Sequence, residues 1–454
     1  MPRQIGIPHP QSYIAQCLAI KKNWELIKSH CAKPINPVSR LFVRKLSGQQ
    51  VFKMNYRGDD RVINQETDIR NEMDAQYVVK TDISGFFPSI YTHSIPWALH
   101  GRDKSKSDRK ISILPGNLLD QVTQGTRDRQ TNGILIGPHA SNVISEIILT
   151  SIDQQMIDDG FWKYSRYIDD YTFFAKSHIQ AEKFLRKLGM KLREYELTLN
   201  ERKTKILPLP LPMDEDWVRE LNSFKWSIKG EVIRFDQVSA LLDHALNLAT
   251  VAEDNAILNY AIKMVPARLN DQAQRLFAQR AVNLALLYPY LAPLLGEHVF
   301  DKHSFIGIEG VIRDFIEELL SIGVQRIQPD AIAHALYYSL RYEIRLSKLR
   351  EQVEKIIEID DCISLVLLLE YARRNRESEI QERIRERADR LRGTEDRDKD
   401  RYWLLIYQLW SDTDLKKENQ LFLADLKLKG FNFLKPLSAP TTPNTIPTQI
   451  LQLN

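Results

Sequence analysis

The stretch RYIDDYTFF, Arg166 to Phe174, sets two adjacent aspartates inside a run of tyrosine, isoleucine, threonine and phenylalanine. Those flanking residues suit a pleated, half-buried surface, so the segment reads as strand. Aspartate is a poor strand residue, and two like charges side by side sharpen the conflict. A β-hairpin resolves the backbone half of it, with Ile168, Asp169 and Asp170 making the tight turn, because Asp tolerates turn geometry and bonds its own backbone. Two readings of the charges stay open. In one, the pair is simply a solvated turn. In the other, the tip projects both carboxylates into a cleft where a divalent cation neutralises them, and this requires a third carboxylate from elsewhere.

At 454 residues the chain exceeds one ordinary core, so two or three domains are expected. Hydrophobic residues at 43% and charged residues at 27% describe a folded, soluble protein. No uncharged apolar run is long enough to span a bilayer, and MPRQIGIPHPQSY lacks the apolar core of a signal peptide. A cytoplasmic protein without a membrane partner is expected. Cys17, Cys31 and Cys362 are too scattered for a disulfide framework or zinc knuckle and read as reduced core residues. A net charge of +4 permits a nucleic-acid partner without demanding one.

Up to about residue 210, strand-like runs (YVVKTDI, RYIDDYTFF, KTKILPL) mix with helical ones (QSYIAQCLAIKKNWELIKSH, SNVISEIILTSIDQQMIDDG), which implies an α+β domain. Residues 211–235, following the proline-rich ILPLPLP, read as a connector. From 236 to 435 strand signals nearly vanish and amphipathic helical windows follow one another, as in an all-α solenoid of paired helices. Within it, SEIQERIRERADRLRGTEDRDKDR reads as a solvated, salt-bridge-laced helix, with an arginine strip facing nucleic acid as the lesser option. The aromatics Tyr337, Tyr338, Tyr342, Tyr402, Trp403 and Tyr407 have core spacing. The tail at 436–454 looks extended.

Upstream of the hairpin, the apolar strand of YVVKTDISGFFPSIY ends at Asp82, and a Gly-Phe-Phe-Pro turn follows. An aspartate there can point into a cleft beside the hairpin tip and supply the third carboxylate. The set DISGFFPSIY, QTNGILIGPHASN and YIDD, in that order, resembles the palm of the reverse transcriptases. The N-terminal IPHPQSYIAQCLAIKKNW and the late LTLNERKTKI extend the likeness to five ordered blocks over about 200 residues. Within that superfamily the chain most resembles the bacterial defence-associated and abortive-infection (AbiK-like) enzymes. In these a helical, HEAT-like domain follows the fingers and palm.

The resemblance implies polymerisation of dNTPs by two Mg²⁺ ions, with Mn²⁺ as an alternative, since hard cations take oxygen ligands and stabilise both attacking and leaving oxygens. Asp82, Asp169 and Asp170 are the expected ligands, with the carbonyl of Ile83 as an extra one. Phe87 stands where the family places an aromatic that closes off the sugar 2′ position, although packing beside Phe86 explains it too. Lys203 matches the lysine proposed to protonate the pyrophosphate, or is merely solvated. Asn132 and Gly133 would line the nucleotide pocket, and Lys53 and Arg57 would meet the triphosphate from the fingers. His9 and His139 read as turn stabilisers. The partners implied are a DNA product, an RNA template or non-coding RNA, and a homo-oligomer or defence partner, with an exposed tyrosine as an alternative primer. An ordinary templated enzyme copying a partner RNA, or a silent nucleic-acid-binding scaffold, are the competing functions.

Overall fold

Strand-forming runs far apart in the chain come together because each carries one apolar face that only another element can cover. The computed structural model describes residues 5–33, 38–45, 52–56, 61–212, 215–224, 232–303 and 305–435. The chain divides into two units, Met1–Met213 and Asp214–Asn454.

In the first unit, β1 (Leu41–Lys45) and β2 (Phe52–Tyr56) form an antiparallel ribbon. A second, four-stranded sheet joins β3 (Tyr77–Thr81), β4 (Tyr164–Tyr167), β5 (Asp170–Ala175) and β6 (Lys205–Pro208) in the order β4-β5-β3-β6. All its pairings are antiparallel. The register sets Val79 of β3 opposite Phe173 on one side and Ile206 on the other, so a continuous apolar row crosses the sheet.

The helices of this unit are α1 (Pro10–Lys22), α2 (Trp24–Cys31), α3 (Arg61–Glu72), α4 (Phe86–Ser89), α5 (Ser94–His100), α6 (Arg102–Ser107), α7 (Pro115–Gly125), α8 (His139–Asp158) and α9 (His178–Glu194). Helix α8 is apolar on nearly every side, with Val143, Ile144, Ile147, Ile148, Ile152 and Met156 fully buried, and it forms the centre of the unit. A helix apolar all round must be enclosed by others, and α2, α5 and α9 pack against it. The expected long N-terminal helix is two helices. Asn23 breaks it by turning its side-chain amide onto the Ala19 carbonyl at 2.9 Å, the local competition that makes Asn a poor mid-helix residue.

His9 caps α1, its Nδ1 accepting the Gln11 N–H, and burial pushes the imidazole down to about 4. A neutral ring is what an acceptor cap requires. His139 is the exposed first residue of α8.

The described residues of the second unit contain helices and no strand. Ile308–Gln325 packs on Pro329–Arg341, which packs on Cys362–Arg374, which in turn meets Ser378–Asp389 and Trp403–Leu409. Tyr338, Tyr402, Trp403 and Tyr407 are buried, and Tyr337 and Tyr342 are half-buried against the same core. The arginine-rich run makes ion pairs: Arg387 grips Asp360 through two bonds of 2.7 Å, and Arg392 bonds both Asp389 and Asp414. The tail at 436–454 lies outside the described residues.

Candidate active site

Strand β3 stops at Thr81, but its pairing continues through the next residues. The Asp82 carbonyl accepts the Asn200 N–H at 2.9 Å, Ile83 bridges Leu199, and Ser84 donates its N–H to the Thr198 carbonyl at 2.9 Å. Asp82 is thereby fixed on its backbone just beyond the strand end. The Lys203 and Thr204 amides both bond the Asn200 carbonyl, and the Thr204 hydroxyl meets that of Thr81 at 2.7 Å. This tight turn aims the Lys203 ammonium at Asp82 Oδ2, 2.8 Å away. The Asp82 side chain is almost entirely buried, and its other oxygen, Oδ1, has no hydrogen-bond partner among the described residues.

The hairpin stands beside this point. Thr81 pairs with Tyr171, so the register carries Asp82 into line with Asp170. The turn is tighter than expected: Ile168 and Asp169 alone form it, while Asp170 is the first residue of β5 and pairs with Tyr167. Ile168 has φ 53, the positive value that two-residue hairpin turns need at their first position. The Lys203 pKa is raised, first by its bond to Asp82 and further by the charges of Asp82, Asp170 and Asp169. All three carboxylates predicted from sequence therefore act on one ammonium.

Beneath the tip lies a network that the sequence reading missed. Arg166 is fully buried and donates to both oxygens of Glu146 at 3.0 Å, to Asp153 at 2.7 and 2.8 Å, and to the Ile168 carbonyl at 2.9 Å. The Tyr164 hydroxyl adds a bond to Asp153 at 3.0 Å. Burial alone would lower the Arg166 pKa, but Asp153 and Glu146 outweigh it and hold the guanidinium well above its ordinary value. Burial lifts Asp153 above the usual carboxylate range, with Arg166 pulling the other way. The signal was present in sequence: Glu146 and Asp153 stand seven apart, two turns of helix, among the isoleucines of one helix, with an arginine next to the tyrosine of YIDD.

On the other flank, the segment after Asp82 pairs with the glycine loop. Ile134 donates to the Phe87 carbonyl at 2.9 Å, Gly133 to Ile90 at 2.7 Å, and Tyr91 bridges Asn132. Gly133 has φ 81, and a Cβ there would lie 2.7 Å from the Pro88 carbonyl oxygen and clash with the Arg127 guanidinium. Only glycine fits. Asn132 is exposed, and the half-buried ring of Phe87 rests 5.2 Å from that of Phe86. Of the two basic residues expected to meet the triphosphate, Lys53 lies in β2 and Arg57 falls outside the described residues.

Residues 16–226 match the reverse transcriptase (RNA-dependent DNA polymerase) family. This segment is a reverse transcriptase domain. The family so described is one of DNA polymerases, enzymes of nucleotidyl transfer. Among solved structures, the chain is similar to a telomerase from Candida tropicalis in complex with the TWJ fragment of telomeric RNA, with 9% identity and a TM-score of 0.29. The similarity covers 67% of this chain and 54% of that one, so it spans about half of the telomerase chain, and at that score it places no element. No curated protein matches the sequence.

Reverse transcriptases use divalent metal ions. Among the described residues no three His, Cys, Asp or Glu side chains are gathered tightly enough to hold one as they stand. The donor set nevertheless suits a hard cation: an orphaned, buried carboxylate oxygen on Asp82, two further carboxylates at the adjoining tip, and an ammonium already drawn to all three. Among the described residues of the reverse transcriptase domain and beyond, no helix is long and apolar enough to cross a membrane.

Proposed function

We propose that the chain synthesises DNA by two-ion nucleotidyl transfer at Asp82, Asp169 and Asp170, and that it does so in defence against phage. The observation that supports the chemistry is the convergence of these carboxylates on Lys203 within a reverse transcriptase domain. A pair of Mg²⁺ ions, or Mn²⁺, supplies charge stabilisation at the attacking and leaving oxygens. Asp82, Asp169 and Asp170 would hold the ions, with the Ile83 carbonyl as an added ligand. Lys203, once released from Asp82, donates its proton to the departing pyrophosphate. Phe87 crowds the sugar 2′ position and so selects deoxynucleotides. Asn132 and the bare backbone of Gly133 line the nucleotide pocket.

The defence role rests on the sequence likeness to abortive-infection enzymes and on the stacked helical pairs of the second unit, which suit a HEAT-like domain. That unit would serve the growing strand, its primer or a further copy of the chain in a cytoplasmic oligomer. If synthesis is protein-primed, Tyr288 is the candidate there, being the tyrosine of that unit exposed among the described residues, at 40%. The family description itself favours RNA-templated synthesis. Sequencing the DNA made with and without added RNA separates the two: product that copies the RNA establishes templated synthesis, and RNA-independent product establishes the untemplated form. Phage plating on cells carrying the wild type or the Asp169→Asn, Asp170→Asn variant tests the role. Equal plating on both removes the defence assignment.

A further inference from the structure

We propose that the cleft running from Pro88 past Trp97 to Arg109 is a binding site for single-stranded nucleic acid, which it holds by ring stacking and phosphate contacts. The cleft has two connected parts, of about 750 and 460 Å³, which share Tyr91, Trp97 and Lys106 in their walls. The larger part begins at Pro88 and Asn132, against the proposed nucleotide pocket. The smaller continues to Arg109 and Gln121. The proposal deepens the polymerase reading by naming the path of a strand, and it rests on that reading for what the strand is used for.

The walls are built for this chemistry by local structure. Gly101, at φ 84, turns the chain from α5 directly into α6. Ser105 then locks α6 down, its buried hydroxyl donating to the Pro96 carbonyl at 2.9 Å and the Gly101 carbonyl at 2.7 Å. With Ser105 facing inward, the i, i+4 pair Arg102 and Lys106 projects together over the half-exposed Trp97 ring, 4.5 and 5.9 Å from its centroid. Tyr91 packs against the same indole at 5.6 Å. Arg102, Lys106 and Arg109 are exposed, and none forms an ion pair with a carboxylate among the described residues.

The acid in the smaller part, Asp120, is already engaged. Its Oδ2 contacts His93 Nδ1 at 2.5 Å and its Oδ1 accepts from Gln124 at 2.6 Å. The surface left to a ligand is therefore an indole, a phenol and three cations, with one exposed carboxylate, Glu196, in the wall of the larger part, so the cations outnumber the free acid three to one. Aromatic platforms with cationic flanks take any base by its π-face and any phosphate by its charge. A neutral or cationic ligand would leave the cations unanswered.

The test uses full-length protein carrying Asp169→Asn and Asp170→Asn, so binding is read without chemistry, and its failure is distinct from failure of the polymerase assignment. Fluorescence anisotropy measures affinity for labelled dT and rU oligonucleotides over a salt series. Trp97→Ala should weaken binding roughly ten-fold or more. Lys106→Ala with Arg109→Ala should lower the log–log salt slope by roughly 1.4, about 0.7 per phosphate contact on a single strand. The second pair is exposed and keeps the test sharp if Trp97→Ala does not fold. Photo-crosslinking of a 5-iodouracil oligonucleotide should map to Tyr91 or Trp97. Unchanged affinity and slope in folded variants, crosslinks confined elsewhere, or weakened binding of free dNTP alone would each overturn the proposal.

Discussion

Asp169 and Asp170 occupy a two-residue turn and the first position of a strand, where their side chains reach outward and cost the fold little if neutralised. We expect Asp169→Asn with Asp170→Asn to abolish dNTP incorporation while moving the melting temperature by no more than a couple of degrees. Incorporation by the folded double variant would remove these residues from the chemistry. Phe87 has two roles to choose between, since its ring touches Phe86 and also flanks the glycine loop. Phe87→Val should admit ribonucleotides, read as the ratio of rNTP to dNTP incorporation, whereas an unchanged ratio returns the ring to core packing. Gly133→Ala forces a side chain into the Pro88 carbonyl at a positive φ. Strain of that kind costs about 1–3 kcal/mol, and we expect a raised KM for dNTP with near-normal oligonucleotide affinity.

At the scale of elements, the hairpin is held from below. Arg166 ties the Ile168 carbonyl to two acids on α8, so the tip is set by a buried network as well as by its own turn. Replacing Arg166 with Met leaves Glu146 and Asp153 buried without a counter-charge, and breaking a buried pair costs about 3–5 kcal/mol. The midpoint of urea unfolding should fall accordingly. A variant that also replaces Glu146 and Asp153 with apolar residues should recover much of that stability but not the polymerase rate. Recovery of both would make the network structural only. Much of this element was legible from RYIDDYTFF, because strand-forming residues interrupted by turn-tolerant ones admit few backbones. The network was not, since a helix apolar all round hides which of its few charges face inward, and the partner is distant in sequence. The break at Asn23 was missed for a related reason: helical periodicity survives across it, and only a side-chain bond ends the helix.

At the scale of the whole molecule, the second unit carries a buried titratable group, His303. His303 is fully buried, neither ring nitrogen has a hydrogen-bond partner among the described residues, and burial lowers its pKa from 6.5 to about 4. The folded state then excludes a proton that the unfolded chain binds, so stability is complete above pH 6.5 and declines as pH falls towards 4. The slope should approach roughly 1.4 kcal/mol per pH unit within that window. His303→Leu should flatten it, measured as unfolding midpoint against pH, and an unchanged slope would assign the acid sensitivity to other groups.

The Lys203–Asp82 contact carries one more consequence. A protein that folds around clustered negative charge ordinarily depends on an ion to keep its shape, and it scatters when that ion is stripped. Here the chain brings its own counter-charge, swung in from a turn on the neighbouring strand. The enzyme should therefore tolerate being emptied: after chelation it keeps its melting temperature, stores without loss, and resumes work when Mg²⁺ returns. Lys203→Ala should turn that forgiving apo form into a fragile one, and a chelated variant as heat-stable as the wild type would show that the lysine shelters nothing.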